Sequence, residues 1–208
     1  MKILEPKVIR CINNTLLNAY HEDDFSNSIF TEGSLQELFI NNLTIDSCIF
    51  KNINFNNITF ENVDLIDVVF ENCDLSNQDF SHKLIQRVQF KNCKMLGSIF
   101  IRSSFKDVLF DHCIATYINL NEAKIKNVQI KNSNFSELSF LETEIKDLDL
   151  VNVNFTKSSI YKTNLKGIDF SNCNLENIHM DISSIKGIII DKFQAIDLIS
   201  SLGVKLKD

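Results

Sequence analysis

Tryptophan is absent from this 208-residue chain, proline occurs once, at Pro6, and glycine only five times. So little glycine and proline argues against an all-β protein built on ordinary hairpins, whose tight turns draw on both residues. Any turns here must use other chemistry. No apolar run reaches the roughly 18 residues that a membrane-spanning helix needs. The opening Met1-Lys2-Ile3-Leu4-Glu5-Pro6 holds no apolar stretch long enough for a secretory signal, so a cytoplasmic protein is expected. Basic charge is also in short supply. There are 21 Lys and Arg against 27 Asp and Glu, giving a net charge of −6. A nucleic-acid binder held by counterion release wants a basic face, so no directly bound nucleic acid is expected. Gly-rich phosphate loops and HExxH or CxxC pairs are also missing. No cofactor, metal site or catalytic residue is expected, and the chain is read as not an enzyme.

What is present is a period of five. Every fifth residue from Phe25 to Ile190 is apolar, without one insertion or deletion, and all but two of the 17 phenylalanines fall in this series. A second series two residues earlier is small or aliphatic, as in Cys48, Ile53, Ile58, Val63, Val68 and Cys73, with Asp23, Gln78 and Lys83 as exceptions. Asn and Asp crowd the positions between. Five matches neither the helical period of 3.6 nor the strand period of 2. It requires a chain that turns a corner every five residues and points two of each five side chains inward. Four corners close a coil, and coils stack through parallel hydrogen bonds at roughly 4.8 Å. Residues 23–190 then make about eight coils and a rod roughly 40 Å long.

The triplets Val63-Asp64-Leu65, Cys73-Asp74-Leu75, Thr163-Asn164-Leu165 and Cys173-Asn174-Leu175 carry a resemblance to the pentapeptide-repeat proteins. That resemblance implies an all-β solenoid, a right-handed quadrilateral parallel β-helix. Residues spaced by one coil then form columns. Cys73, Cys93 and Cys113 are read as small inward hydrophobes, because parallel side chains neither converge for a disulfide nor surround zinc. Cys113 points inward and His112 outward, so the pair cannot share a proton. The Asn52, Asn72, Asn92, Asn132, Asn152 and Asn172 column is read as a structural amide ladder. Lys51, Glu71, Lys91, Asp111 and Lys131 alternate in sign and favour the correct register. Lys106, Lys126, Lys146 and Lys166 stack with like sign, partly offset by Asp107 and Asp147; a solvated face is the plainer reading, an acidic partner the other. The wall around residues 78–84 is expected to bulge so that Lys83 reaches water, since a buried unpaired lysine is costly.

The ends read as caps. Residues 1–22 form an N-terminal cap, in which Val8, Ile12, Leu16 and Tyr20 suit a short helix after Pro6. Residues 191–208 form a C-terminal helix and strand. Asp191 N-caps the helix, Gly203 ends it, and Val204-Lys205-Leu206 alternates like a strand. Phe193, Ile196, Ile199 and Leu202 give it an apolar arc wider than one coil end requires, which marks a dimer interface. The segment from Gly187 to Val204, with Gln194-Ala195 and Leu202-Gly203-Val204, resembles the dimerisation module of Qnr-type and related mycobacterial pentapeptide proteins. The resemblance implies a homodimer of two rods joined end to end. It also implies that the dimer mimics duplex DNA, binds DNA gyrase or topoisomerase IV, and protects them from quinolones. Glu61, Asp64, Asp67, Glu71, Asp74 and Asp79 fall within one coil and are the expected acidic contact patch. Duplex DNA carries roughly 23 charges over about 40 Å, far more than this chain, so mimicry rests on shape and a local patch. The unbroken register also lacks the projecting loops that some Qnr-type proteins insert between coils. The alternative is an interaction scaffold for another partner, with no topoisomerase activity.

Overall fold

A computed structural model of the chain describes residues 2–31, 33 and 37–205. It is a right-handed parallel β-helix of about eight coils. Eight strands lie in one sheet, and Ser139–Leu141, Ser159–Tyr161 and His179–Met180 form a second. Through the body of the rod each residue pairs with the one a coil later: Phe50 with Phe70, Phe70 with Phe90, Phe90 with Phe110. Leu35, one member of the apolar series, lies outside the described residues.

The scarcity of glycine is resolved at the corners. From Asn62 to Gly167 every fifth residue is left-handed, with φ between 50° and 82°. Only Gly97 and Gly167 among them are glycine; asparagine, the best non-glycine residue for this region, fills many others. The asparagine column therefore has two causes. Asn72 also donates to Asn52 at 3.2 Å and Asn152 to Asn132 at 3.2 Å, so the amides bond along the stack as well as turning the chain.

Inside, the aromatic column Phe50–Phe70–Phe90–Phe110 stacks with centroids 4.9–5.2 Å apart. The small-residue series follows its own rule. Most of its polar members donate to the backbone carbonyl 23 residues earlier, as Ser98 to Leu75 at 2.8 Å, Thr143 to Leu120 at 2.9 Å and Cys113 to Phe90 at 3.3 Å, while Ser28, Ser133 and Thr163 donate to the carbonyl two residues earlier. Buried hydroxyls and thiols are thus satisfied without breaking the core. Gln78 fits the same rule, its amide reaching the Phe55 carbonyl at 3.1 Å.

Three expectations need correction. The wall at residues 78–84 does not bulge. Asp79 pairs with Ile99, and Ser104 donates to the Lys83 carbonyl at 2.8 Å, so the register runs straight through. Lys83 is buried and has no carboxylate partner among the described residues, yet its ammonium is not fully enclosed. Its aliphatic stem fills the small-residue position and carries the charge outward, so no extra backbone is needed.

The N-terminal helix is shorter than the four-residue spacing predicts. Residues 2–11 form an extended arm along the rod, Ile12–Asn13 pairs as a short strand, and helix α1 spans only Leu16–Glu22. Thr15 caps it, its hydroxyl accepting the Asn18 N–H at 3.2 Å. Near the other end, one-turn helix α2 (Ile182–Ile185) replaces a wall. Ser184 takes the inward place in the series instead of Ser183, and its hydroxyl accepts the Thr163 N–H at 3.1 Å. Helix α3 spans Lys192–Ser201 and ends at left-handed Gly203. Val204 and Lys205 are not a strand, and Leu206 lies outside the described residues.

Candidate protein-binding surfaces

The chain turns at Asn62, Asp67, Asn72 and Asn77. The six acidic residues of that coil therefore ring the rod instead of sharing one side. Most are already engaged. Glu71 meets Lys51 at 3.1 Å and Asp74 meets Lys94 at 3.3 Å. Asp67 receives both a 2.6 Å bond from Arg87 Nε and a 2.6 Å bond from its Nη2. Glu61, Asp64 and Asp79 are in no ion pair among the described residues. Asp64 accepts the Leu84 N–H at 2.7 Å and Asp79 the Ser81 N–H at 2.8 Å. These three flank a single corner, at Asn62.

The N-terminal arm explains why Asp67 is buried. The Lys7 N–H donates to Asp67 at 2.9 Å, the Leu4 N–H to Asp107 at 3.3 Å, and Asn127 bonds both Asp107 and the Lys2 carbonyl. Burial pushes the Asp67 carboxyl up, but the Arg87 guanidinium and the Lys7 N–H together outweigh it and hold the group below the usual carboxylate range. Asp107 is likewise buried under the arm and makes no direct ion pair with the neighbouring lysines among the described residues.

Ion pairs between successive coils are a rule of this surface. Besides those above, Arg102 meets Glu122, Lys131 meets Asp111 and Lys162 meets Glu142, all within 3.3 Å. Of the expected ladder from Lys51 to Lys131, Lys51–Glu71 and Asp111–Lys131 are ion pairs, whereas Lys91, in register between Glu71 and Asp111, is in none among the described residues. Each exposed pair contributes little by itself, on the order of 0–1 kcal/mol; together they disfavour a slipped register.

Helix α3 closes the rod's last coil. The Asp191 carboxylate accepts the N–H groups of Phe193 at 2.7 Å and Gln194 at 2.9 Å, and Gln194 Oε1 accepts the Asp191 N–H at 2.8 Å. This is a reciprocal capping box. Gln194 Nε2 then donates to the open carbonyls of Phe170 at 2.8 Å and Cys173 at 2.6 Å. Sequence reading missed this role for Gln194, although the Asp-x-x-Gln spacing signals it. Leu198 is buried at 3% exposure, whereas Phe193, Ile196, Ile199 and Leu202 remain 67%, 48%, 38% and 45% exposed. The four expected interface residues thus face outward at the tip of the rod.

Five of the six thiols are core groups, and Cys11 in the arm is half-buried. Burial pushes Cys113 and Cys173 up to about 11 and Cys48 up to about 12. Cys93 is raised as well, by its contact with Cys73 and by burial. None of these four is a thiolate nucleophile near neutral pH. His112 is exposed, with Nδ1 2.7 Å from Asp111, while Cys113 is buried. Among the described residues there is no cluster of three metal-ligating side chains, and no helix is long and apolar enough to cross a membrane.

The family comparison agrees with this architecture. The pentapeptide repeat region family matches residues 63–140 and 103–180. A trypsin-treated form of QnrB1, a plasmid-mediated fluoroquinolone resistance protein, is similar over 88% of this chain and 89% of its own, at 19% identity and a TM-score of 0.41. HetL, a pentapeptide repeat protein involved in heterocyst differentiation regulation from the cyanobacterium Nostoc, is similar over 85% of this chain and 96% of its own, at 12% identity and a TM-score of 0.32. No curated protein matches the sequence. The five-residue register, its left-handed corners and the family match over more than half the chain make this protein a member of the pentapeptide-repeat family.

Proposed function

We propose that this chain is a non-catalytic, protein-binding rod that dimerises end to end through α3 and docks DNA gyrase or topoisomerase IV in the place of duplex DNA. The observation that carries the proposal is the tip of the rod. Leu198 and Gln194 are buried at the last coil, yet Phe193, Ile199 and Leu202 stay exposed, as do Ile189 before α3 and Val204 after it. Large apolar side chains left exposed in one short segment mark an interface, and a two-fold dimer covers them in both copies at once. The doubled rod is roughly 80 Å long, a length suited to a groove built for DNA. The partner itself follows from the resemblance of the C-terminal module to the Qnr-type one, and it would place the protein in the bacterial cytoplasm. Glu61, Asp64 and Asp79 are the acids best placed for contact, since Asp67, Glu71 and Asp74 are spent on ion pairs.

That same neutralisation favours a second reading, a scaffold for a different protein with no topoisomerase activity. Sedimentation of the purified chain alone and with gyrase separates the two. A dimer that co-sediments with gyrase, weakened by Glu61→Lys and Asp79→Lys, supports the first reading. A dimer that ignores gyrase supports the scaffold, and a monomer overturns the end-to-end assembly.

A further inference from the structure

One column breaks the rule of opposite charges. Lys106 pairs in register with Lys126, and Lys126 with Lys146. Lys166 and Lys186 continue the spacing. All five are exposed, and none is in an ion pair among the described residues. Like charges directly opposite on adjacent strands destabilise a sheet. A stability cost kept in an otherwise alternating surface points to function elsewhere.

The column borders a groove of about 390 Å³. Lys106, Lys126 and Lys146 form one wall, and Ser104, Lys124 and Glu144 the other, over a floor of Phe105, Ile125 and Ile145. Glu144 is its only carboxylate. Ile145 is half-buried, the one residue of the apolar series between Ile40 and Met180 that is not fully buried. Phe105 and Ile125 are buried at 2% and 4% exposure, so the groove offers cations above and the half-buried Ile145 below.

We propose that this groove docks an extended acidic peptide segment of a protein partner, its carboxylates on the lysine column and an aliphatic side chain on Ile145. From Lys106 to Lys186 the column rises roughly 19 Å, the length of about six extended residues. A peptide fits better than a nucleic acid. No exposed aromatic lines the groove on which a base could stack, and the net charge of −6 repels a long polyanion beyond the lysines. The groove begins two coils beyond Asp64 on the same face and uses none of the α3 or acidic contact residues, so the inference stands or falls independently of the topoisomerase reading.

The test is fluorescence anisotropy of the full chain with a labelled peptide of alternating glutamate and leucine, and with oligothymidine of equal charge. Saturable peptide binding is expected, weakening as salt rises. Lys126→Glu is expected to weaken it at least about tenfold, while Lys157→Glu on another side leaves it unchanged. Lys126→Glu also turns the like-charged stack into an alternating one, so its melting temperature is expected to hold or rise. That distinguishes a lost site from a lost fold. Preference for oligothymidine, peptide binding indifferent to Lys126→Glu, or no saturable binding up to about 1 mM peptide overturns the proposal.

Discussion

Phe90→Ala perturbs the rod at its most regular point. Phe90 is 0% exposed, 5.2 Å from Phe70 at an interplanar angle of 3°, and 4.9 Å from Phe110 at 9°. Truncation to alanine removes the ring from between two filled layers, and the coils above and below cannot collapse because their hydrogen bonds fix the spacing. Phe→Ala in a core costs about 3–5 kcal/mol. Loss of two stacked pairs, each worth about 0.5–1.5 kcal/mol beyond area burial, puts this site at the upper end. For a chain of this size each kcal/mol lowers the melting temperature by about 2–4 °C, so a fall of roughly 10–20 °C is expected. Thermal melting followed by circular dichroism reads it. Phe39→Ala is the matched control, because Phe39 is 47% exposed and lies outside the series; its effect should stay within about 0.5 kcal/mol. A shift under about one degree for Phe90→Ala refutes the register.

Ile199→Glu, at the exposed tip of α3, should convert the dimer to a monomer in sedimentation and leave the β-helix spectrum unchanged, because each coil contacts only its neighbours. Gln194→Ala should cost roughly 2–4 kcal/mol, since it orphans the Phe170 and Cys173 carbonyls and half of the capping box. Arg87→Ala should cost about 3 kcal/mol by leaving Asp67 charged and unpaired under the arm. Asp67 has a folded pKa below its unfolded value. Its contribution is fully present above the ordinary carboxylate value of about 4 and is lost as pH falls through the lower folded value. Titration to about pH 2 should therefore shift the Lys7 amide resonance and loosen the arm; a resonance that does not move would show that the carboxylate does not hold it.

The coils were legible because their information is local and repeated. The two phenylalanines outside the series, Phe39 and Phe193, are both exposed, so period alone sorted inside from outside for this residue type. The arm was not legible. Its anchors lie 60 and 103 residues away, at Asp67 and Asp107, while its four-residue apolar spacing imitates a helix. Acidic residues close in sequence suggested a patch, but a corner every five residues sends Asp64, Glu71 and Asp74 to different sides. Lys83 misled because its charge was assigned to the site of its stem. The α3 tip was read directly, since Asp191, Gly203 and the spacing of Phe193, Ile196 and Ile199 are all local signals.

The central functional claim is tested most directly by a gyrase supercoiling reaction with and without ciprofloxacin, to which the purified protein is added. Docking in the DNA-binding groove predicts restored supercoiling in the presence of the drug, inhibition at high protein concentration, or both, each weakened by Ile199→Glu. The absence of both protection and inhibition at micromolar protein would contradict the topoisomerase reading and leave the rod as a scaffold for another partner.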